Sequence, residues 1–173
     1  MGSASYVIGL GSNRPHGRHG RPRSVLAAAI DALEAEGLTI RSASSVIGTP
    51  ALGPSSREFA NAAIMVESDL APPALLLLLK RIELCFGRRR GERWGARVLD
   101  LDILAWSEGA WPPLPRRARA GRLAVPHAAL PVRDFALAPA AAVAPGWRHP
   151  LHRYTLRQLE GRRRKPRPVD RAR

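Results

Sequence analysis

The sequence predicts an α+β fold of the ferredoxin-like kind: a β-α-β-β-α-β order, an antiparallel sheet with both helices on one face, and a C-terminal extension. Three observations predict it. Short stretches with apolar residues at alternate positions read as strands. Two stretches carry apolar residues at helical spacing, and each stops at a glycine. The two kinds of stretch follow one another in that order up to Trp106.

Tyr6–Gly11 is the first strand, ending in Gly11-Ser12-Asn13. Arg14–Arg23, rich in Arg, Gly, His and Pro, reads as an exposed, mobile loop. Ser24–Glu36 is the first helix, with Leu26, Ile30 and Leu33 on one face and Gly37 as its stop. Leu38–Ile47 is the second strand, and Gly48–Glu58, with Pro50, Gly53 and Pro54, is a loop. Phe59–Ser68 is the third strand. Period-2 counting puts Phe59, Asn61, Ala63, Met65 and Glu67 on one face and Ala60, Ala62, Ile64 and Val66 on the other. Pro72-Pro73 opens the second helix, whose stripe is Leu75, Leu78, Leu79, Ile82 and Phe86; Gly87 ends it, and Cys85 reads as a packing residue. An arginine-dense loop, Arg88–Arg97, leads into the last strand, Val98–Trp106, with Leu99, Leu101 and Ile103 on one face. Residues 107–160 read as short strands or turns and short helices around Leu123–Pro126 and Arg133–Val143. A single domain over 1–160 is expected, with a basic, disordered tail over 161–173 that has almost no apolar residues.

The 173 residues are 45% apolar, which suits one domain with a real core. No apolar run approaches the roughly 18 residues of a membrane helix; the longest run of leucines is Leu75–Leu79. The N-terminus lacks the pattern of a signal peptide. A single cysteine, Cys85, excludes a disulfide framework within the chain and a cysteine-cluster metal site. A cytoplasmic protein is expected. Charge is the outlier, with 28 basic and 14 acidic residues and a net charge of +14. All the basic residues but Lys80 and Lys165 are arginines. Such a surface favours polyanions, either nucleic acid or the phosphates of a small substrate.

The sharpest chemical signal is Leu99-Asp100-Leu101-Asp102-Ile103-Leu104. Residues two apart on a strand share a face, so Asp100 and Asp102 sit side by side. Their repulsion, about 1 kcal/mol in water and several in a cleft, calls for a cation. Hard oxygen donors on a rigid strand suit Mg²⁺, which shares phosphate oxygens with a substrate. A solvated polar face is the alternative reading of the pair. Arg88, Arg89, Arg90, Arg93 and Arg97, with Trp94 among them, crowd the loop just before it. Guanidinium forks match phosphate oxygens, and the juxtaposition favours phosphoryl transfer. A solvated basic turn or a nucleic-acid patch would use the same arginines. An RNA-recognition sheet, however, needs surface aromatics where these strands carry carboxylates and aliphatics.

The chain resembles the 6-hydroxymethyl-7,8-dihydropterin pyrophosphokinase family over roughly residues 5–150. The matching pieces are Gly11-Ser12-Asn13, Thr49-Pro50, Leu52-Gly53-Pro54, Phe59-Ala60-Asn61-Ala62, Arg81-Ile82-Glu83 and Gly87-Arg88. Arg93-Trp94-Gly95-Ala96-Arg97, Leu99 to Leu104, Val125-Pro126-His127 and Arg133-Asp134-Phe135 complete them. Ala96 stands where the family usually has proline, and Phe59 where many members have tyrosine. The resemblance implies pyrophosphate transfer from ATP to the pterin hydroxymethyl group in folate biosynthesis, with AMP released. It implies that Asp100 and Asp102 hold two Mg²⁺ ions and that Arg88 and Arg97 assist catalysis. It places Leu76, Glu83, Arg88, Arg90, Arg93, Trp94, Arg97, Ile103, Arg122, His127 and Arg133 around ATP. It places Gly11, Thr49, Pro50, Leu52, Phe59, Asn61, Trp94, Asp100 and Phe135 around the pterin. ATP and the pterin are the expected partners, nucleic acid and membrane are not, and a monomer is expected. No general base is evident.

Overall fold

The computed structural model describes residues 2–49, 59–87, 97–113 and 123–164. Strand β1 is Ala4–Ser12, helix α1 Pro22–Ala35, β2 Thr39–Ala43, β3 Ile47–Thr49 and β4 Phe59–Ser68. Helix α2 is Pro72–Cys85, β5 Asp100–Trp106, α3 Asp134–Val143 and α4 Leu156–Arg164. Proline opens both α1 and α2, where a missing N–H costs nothing. Gly37 and Gly87, at φ 90° and 80°, end them in the left-handed region that disfavours a Cβ.

The sheet is antiparallel, in the order β2-β4-β1-β5, with β3 also on β4. This is the predicted ferredoxin-like arrangement, with two corrections. The expected strand Leu38–Ile47 is two strands, β2 and β3, and β3 continues into the expected loop as far as Thr49. Ser44, between them, still serves the ladder. Its N–H donates to the Ala63 carbonyl, and its hydroxyl takes the Ala63 N–H at 3.0 Å. The last strand starts at Asp100 rather than Val98, although Leu99 is buried before it. The two helices of the predicted order, α1 and α2, share one face as expected, and the C-terminal extension covers the other. Tyr6, Ile8, Leu10, Ile64, Leu101 and Ile103 pack under α1 and α2, where Leu75, Leu78, Leu79, Ile82 and Phe86 are all buried as the stripe requires. Burying each such side chain stabilises by about 1.5–3 kcal/mol. Val7, Ala63, Leu104 and Ala105 face the other way, under Leu130, Leu137, Ala140, Leu156 and Leu159 of the C-terminal part.

Two further expectations fail. Cys85 is exposed, on the solvent side of α2 with Leu84. The loop after Asn13 is exposed over most of its length, as expected, with one docked stretch: His16 and Gly20 exchange backbone hydrogen bonds, and the His16 and His19 rings pack on each other and on Phe86. Gly161–Arg164 are the end of helix α4, not a disordered tail. Leu156 and Leu159 anchor that helix, and Arg163 pairs with Asp134 in the first turn of α3, holding the Asp134 carboxyl below its usual range. Residues 165–173 lie outside the described residues.

Candidate active site

On the second face, the end of the sheet at the C-terminus of β1 brings several of the expected site residues together. Gly11 pairs with Asn61 on one side and with Asp100 on the other, and Gly9 pairs with Asp102. Directly opposed residues in an antiparallel pair share a face. Asn61, Gly11 and Asp100 therefore form one row, with Asp102 in the next. The middle of that row is a glycine. A Cβ built there would meet Asn61 Oδ1 at 3.5 Å and the Asp100 Cβ at 3.9 Å, so the missing side chain leaves a floor flanked by an amide and a carboxylate. Both aspartates are part-exposed while Leu101 between them is buried, as period-2 counting predicts.

The cation this pair calls for is present in Arg97. Its Nη1 lies 2.8 Å from Asp100 Oδ2, with both side chains about a third exposed or less (34% and 26%). An exposed pair of this kind contributes little stability by itself; its consequence is to place a guanidinium at the Asp100 carboxylate. Among the described residues no three His, Cys, Asp or Glu side chains gather as a metal cage. An ion at Asp100 and Asp102 would draw its other ligands from water and substrate oxygens. That is the coordination Mg²⁺ prefers, so the donor set fits it.

The free edge of β5 is pinned from α2. Leu101, between the aspartates, donates its N–H to Glu83 Oε1 at 2.7 Å and accepts Lys80 Nζ on its carbonyl at 3.0 Å. Lys80 also pairs with Glu83 at 2.6 Å, and Glu83 is fully buried. The buried carboxylate is thus matched by a cation and a peptide donor. Lys80→Ala removes the cation and is expected to destabilise the fold by about 1–3 kcal/mol. Denaturant melts of both proteins check this.

The other expected site residues are distributed as follows. His127 donates its N–H to the Leu104 carbonyl and accepts the Ala129 N–H on Nδ1 at 3.1 Å, which puts the neutral ring's proton on Nε2. Ile103 is buried in the core under α2, and Leu76 is half-buried beside it. Phe59 is half-buried at the start of β4, paired with Thr49 of β3. Phe135 is half-buried in the first turn of α3, with the Arg133 guanidinium 5.6 Å from its ring centroid. Pro50, Leu52, Arg88, Arg90, Arg93, Trp94 and Arg122 lie outside the described residues.

Sequence reasoning assigned no role to two residues in this region. Asn13 closes on Arg97 from the end of β1, with Oδ1 accepting the Arg97 N–H at 2.7 Å. Lys80 holds β5; its signal was visible as one of two lysines in an arginine-rich chain, three residues before a glutamate.

A family model described as 7,8-dihydro-6-hydroxymethylpterin-pyrophosphokinase matches residues 7–145. A 2-amino-4-hydroxy-6-hydroxymethyldihydropteridine pyrophosphokinase of Pseudomonas aeruginosa is 39% identical over 150 residues, covering 85% of each chain. The protein of that name from Methylorubrum extorquens is 37% identical, covering 80% of this chain and 81% of its own. The Synechocystis one is 36% identical, and the match spans 60% of its length. A crystal structure of the Plasmodium falciparum HPPK-DHPS superposes with a TM-score of 0.66 at 12% identity, over 94% of this chain and 43% of that one, a likeness of fold.

Proposed function

The chain belongs to the 7,8-dihydro-6-hydroxymethylpterin-pyrophosphokinase family, and from that premise we propose that it transfers pyrophosphate from ATP to the hydroxymethyl group of 6-hydroxymethyl-7,8-dihydropterin at the sheet end built from Gly11, Asn61, Arg97, Asp100 and Asp102. The observation that carries the placement is the row Asn61–Gly11–Asp100, with Asp102 and Arg97 beside it.

The row divides the labour. Asn61, only 6% exposed, offers an amide that both donates and accepts, suited to reading a heterocycle edge. Phe59 and Phe135 offer the stacking faces. Gly11 keeps the floor low enough for a flat ring to lie between Asn61 and Asp100. Asp100 and Asp102 would hold Mg²⁺; bound there, the ions would neutralise charge on the phosphate oxygens of ATP. Arg97 stabilises the charge that develops as the β-phosphorus passes from AMP to the pterin oxygen. Lys80 and Glu83 keep the peptide between the aspartates fixed, so the carboxylates are preorganised. The hydroxymethyl proton leaves with no side-chain base assigned. Arg88, Arg90, Arg93, Trp94 and Arg122 complete the nucleotide side, and Pro50 and Leu52 the pterin side, in the same reading.

Gly11→Ala tests the floor. The added methyl makes only ordinary contacts, so the fold should survive. The KM for the pterin should rise about tenfold or more, while the KM for ATP changes little. The reaction itself is tested by AMP release from ATP with and without the pterin and Mg²⁺. Release that needs all three supports the reading, and none under any condition sinks it.

A further inference from the structure

We propose that Asn13 is a positioning residue for the transfer step, acting through Arg97. Asn13 follows the last residue of β1 and is 2% exposed. Its Oδ1 accepts the Arg97 N–H at 2.7 Å, and its own N–H donates to the Arg97 carbonyl at 3.1 Å. Both peptide groups of one arginine are thereby held by one residue 84 positions earlier. Three residues on, Asp100 takes the Arg97 guanidinium at 2.8 Å, and Asp100 itself pairs with Gly11, two residues before Asn13. The chain forms a closed circuit: β1, Asn13, Arg97, Asp100 and back to β1.

That circuit has a physical purpose. An arginine side chain has many rotamers, and its reach depends on where its backbone starts. Arg97 stands outside β5, so the strand ladder does not fix it. The Asn13 side-chain oxygen supplies the missing rung. Asparagine suits the place because its side-chain acceptor spans the gap and its buried backbone N–H serves the reciprocal bond. Buried polar side chains of this kind persist where they are bonded. The backbone bond survives any substitution but proline, so the side chain's share is separable.

The inference rests on the role given to Arg97 in the transfer. The test is a kinetic double-mutant cycle on the full chain with saturating ATP, pterin and Mg²⁺. Asn13→Ala should lower kcat about tenfold with both KM values within about twofold, and Asn13→Asp, which keeps an oxygen in place, should return kcat to within about threefold of the parent. In an Arg97→Ala background, Asn13→Ala should cost less than about twofold. Should Asn13→Ala not fold, Asn13→Ser, whose hydroxyl is too short to reach the Arg97 N–H, carries the same expectation. Parental kcat in Asn13→Ala or Asn13→Ser, or an undiminished loss in the Arg97→Ala background, would overturn the inference alone. Parental kcat in Arg97→Ala would overturn the role of Arg97, and this inference with it.

Discussion

Asp102→Ala is expected to lower AMP release by about a thousandfold or more, roughly 4 kcal/mol of transition-state stabilisation. Asp100→Ala should cost at least as much. Asp102 leaves the Arg97–Asp100 pair standing when it goes, whereas Asp100 takes the Arg97 anchor with it. Both side chains are part-exposed at the end of the sheet, so neither change removes a core group. Melting temperatures should stay within a few degrees of the parent. Steady-state AMP release beside thermal melts checks both halves of the expectation. A variant that stays folded and turns over at the parental rate would contradict the metal-holding role of that residue.

Arg97→Ala is expected to lower kcat about a hundredfold or more, with a much smaller rise in the KM for ATP. The reason is geometric. Arg97 spends a hydrogen bond on Asp100 in the structure as it stands, so its guanidinium is already at that carboxylate before charge develops. An interaction strongest in the transition state appears in kcat. Arg97→Lys should recover little, because an ammonium lacks the planar fork that can bridge Asp100 and a phosphate oxygen together. Equal losses in kcat and in ATP affinity would make Arg97 a binding group instead.

The aspartate pair was legible because its evidence is local: two carboxylates two apart in an apolar strand. Phe59 and Asn61 sharing a face was legible for the same reason. What placed Asn61 beside Gly11 and Asp100 was strand register, which joins residues far apart in the chain and leaves no period in the sequence. The parity of β5 is also hidden. A register shift at Val7/Ile8 puts both Leu104 and Ala105 into the second core, so alternate counting fails beyond Ile103. Cys85 sits beside the helical stripe of α2 but faces solvent, a matter of a few tens of degrees around the axis. Arg14–Arg23 reads as loose by composition, yet His16 and His19 find Phe86 across the fold. The polar composition of Gly161–Arg164 hides the two leucines that anchor α4 from its other end.

The most direct measurement counts protein-bound Mn²⁺, a paramagnetic substitute for Mg²⁺, by electron paramagnetic resonance in the presence of a non-hydrolysable ATP analogue. The parent chain should hold Mn²⁺ in the ternary complex, and the Asp100→Ala/Asp102→Ala double variant, still folded, should lose it. Undiminished Mn²⁺ in that variant would contradict the claim that these two carboxylates gather the ions for the transfer.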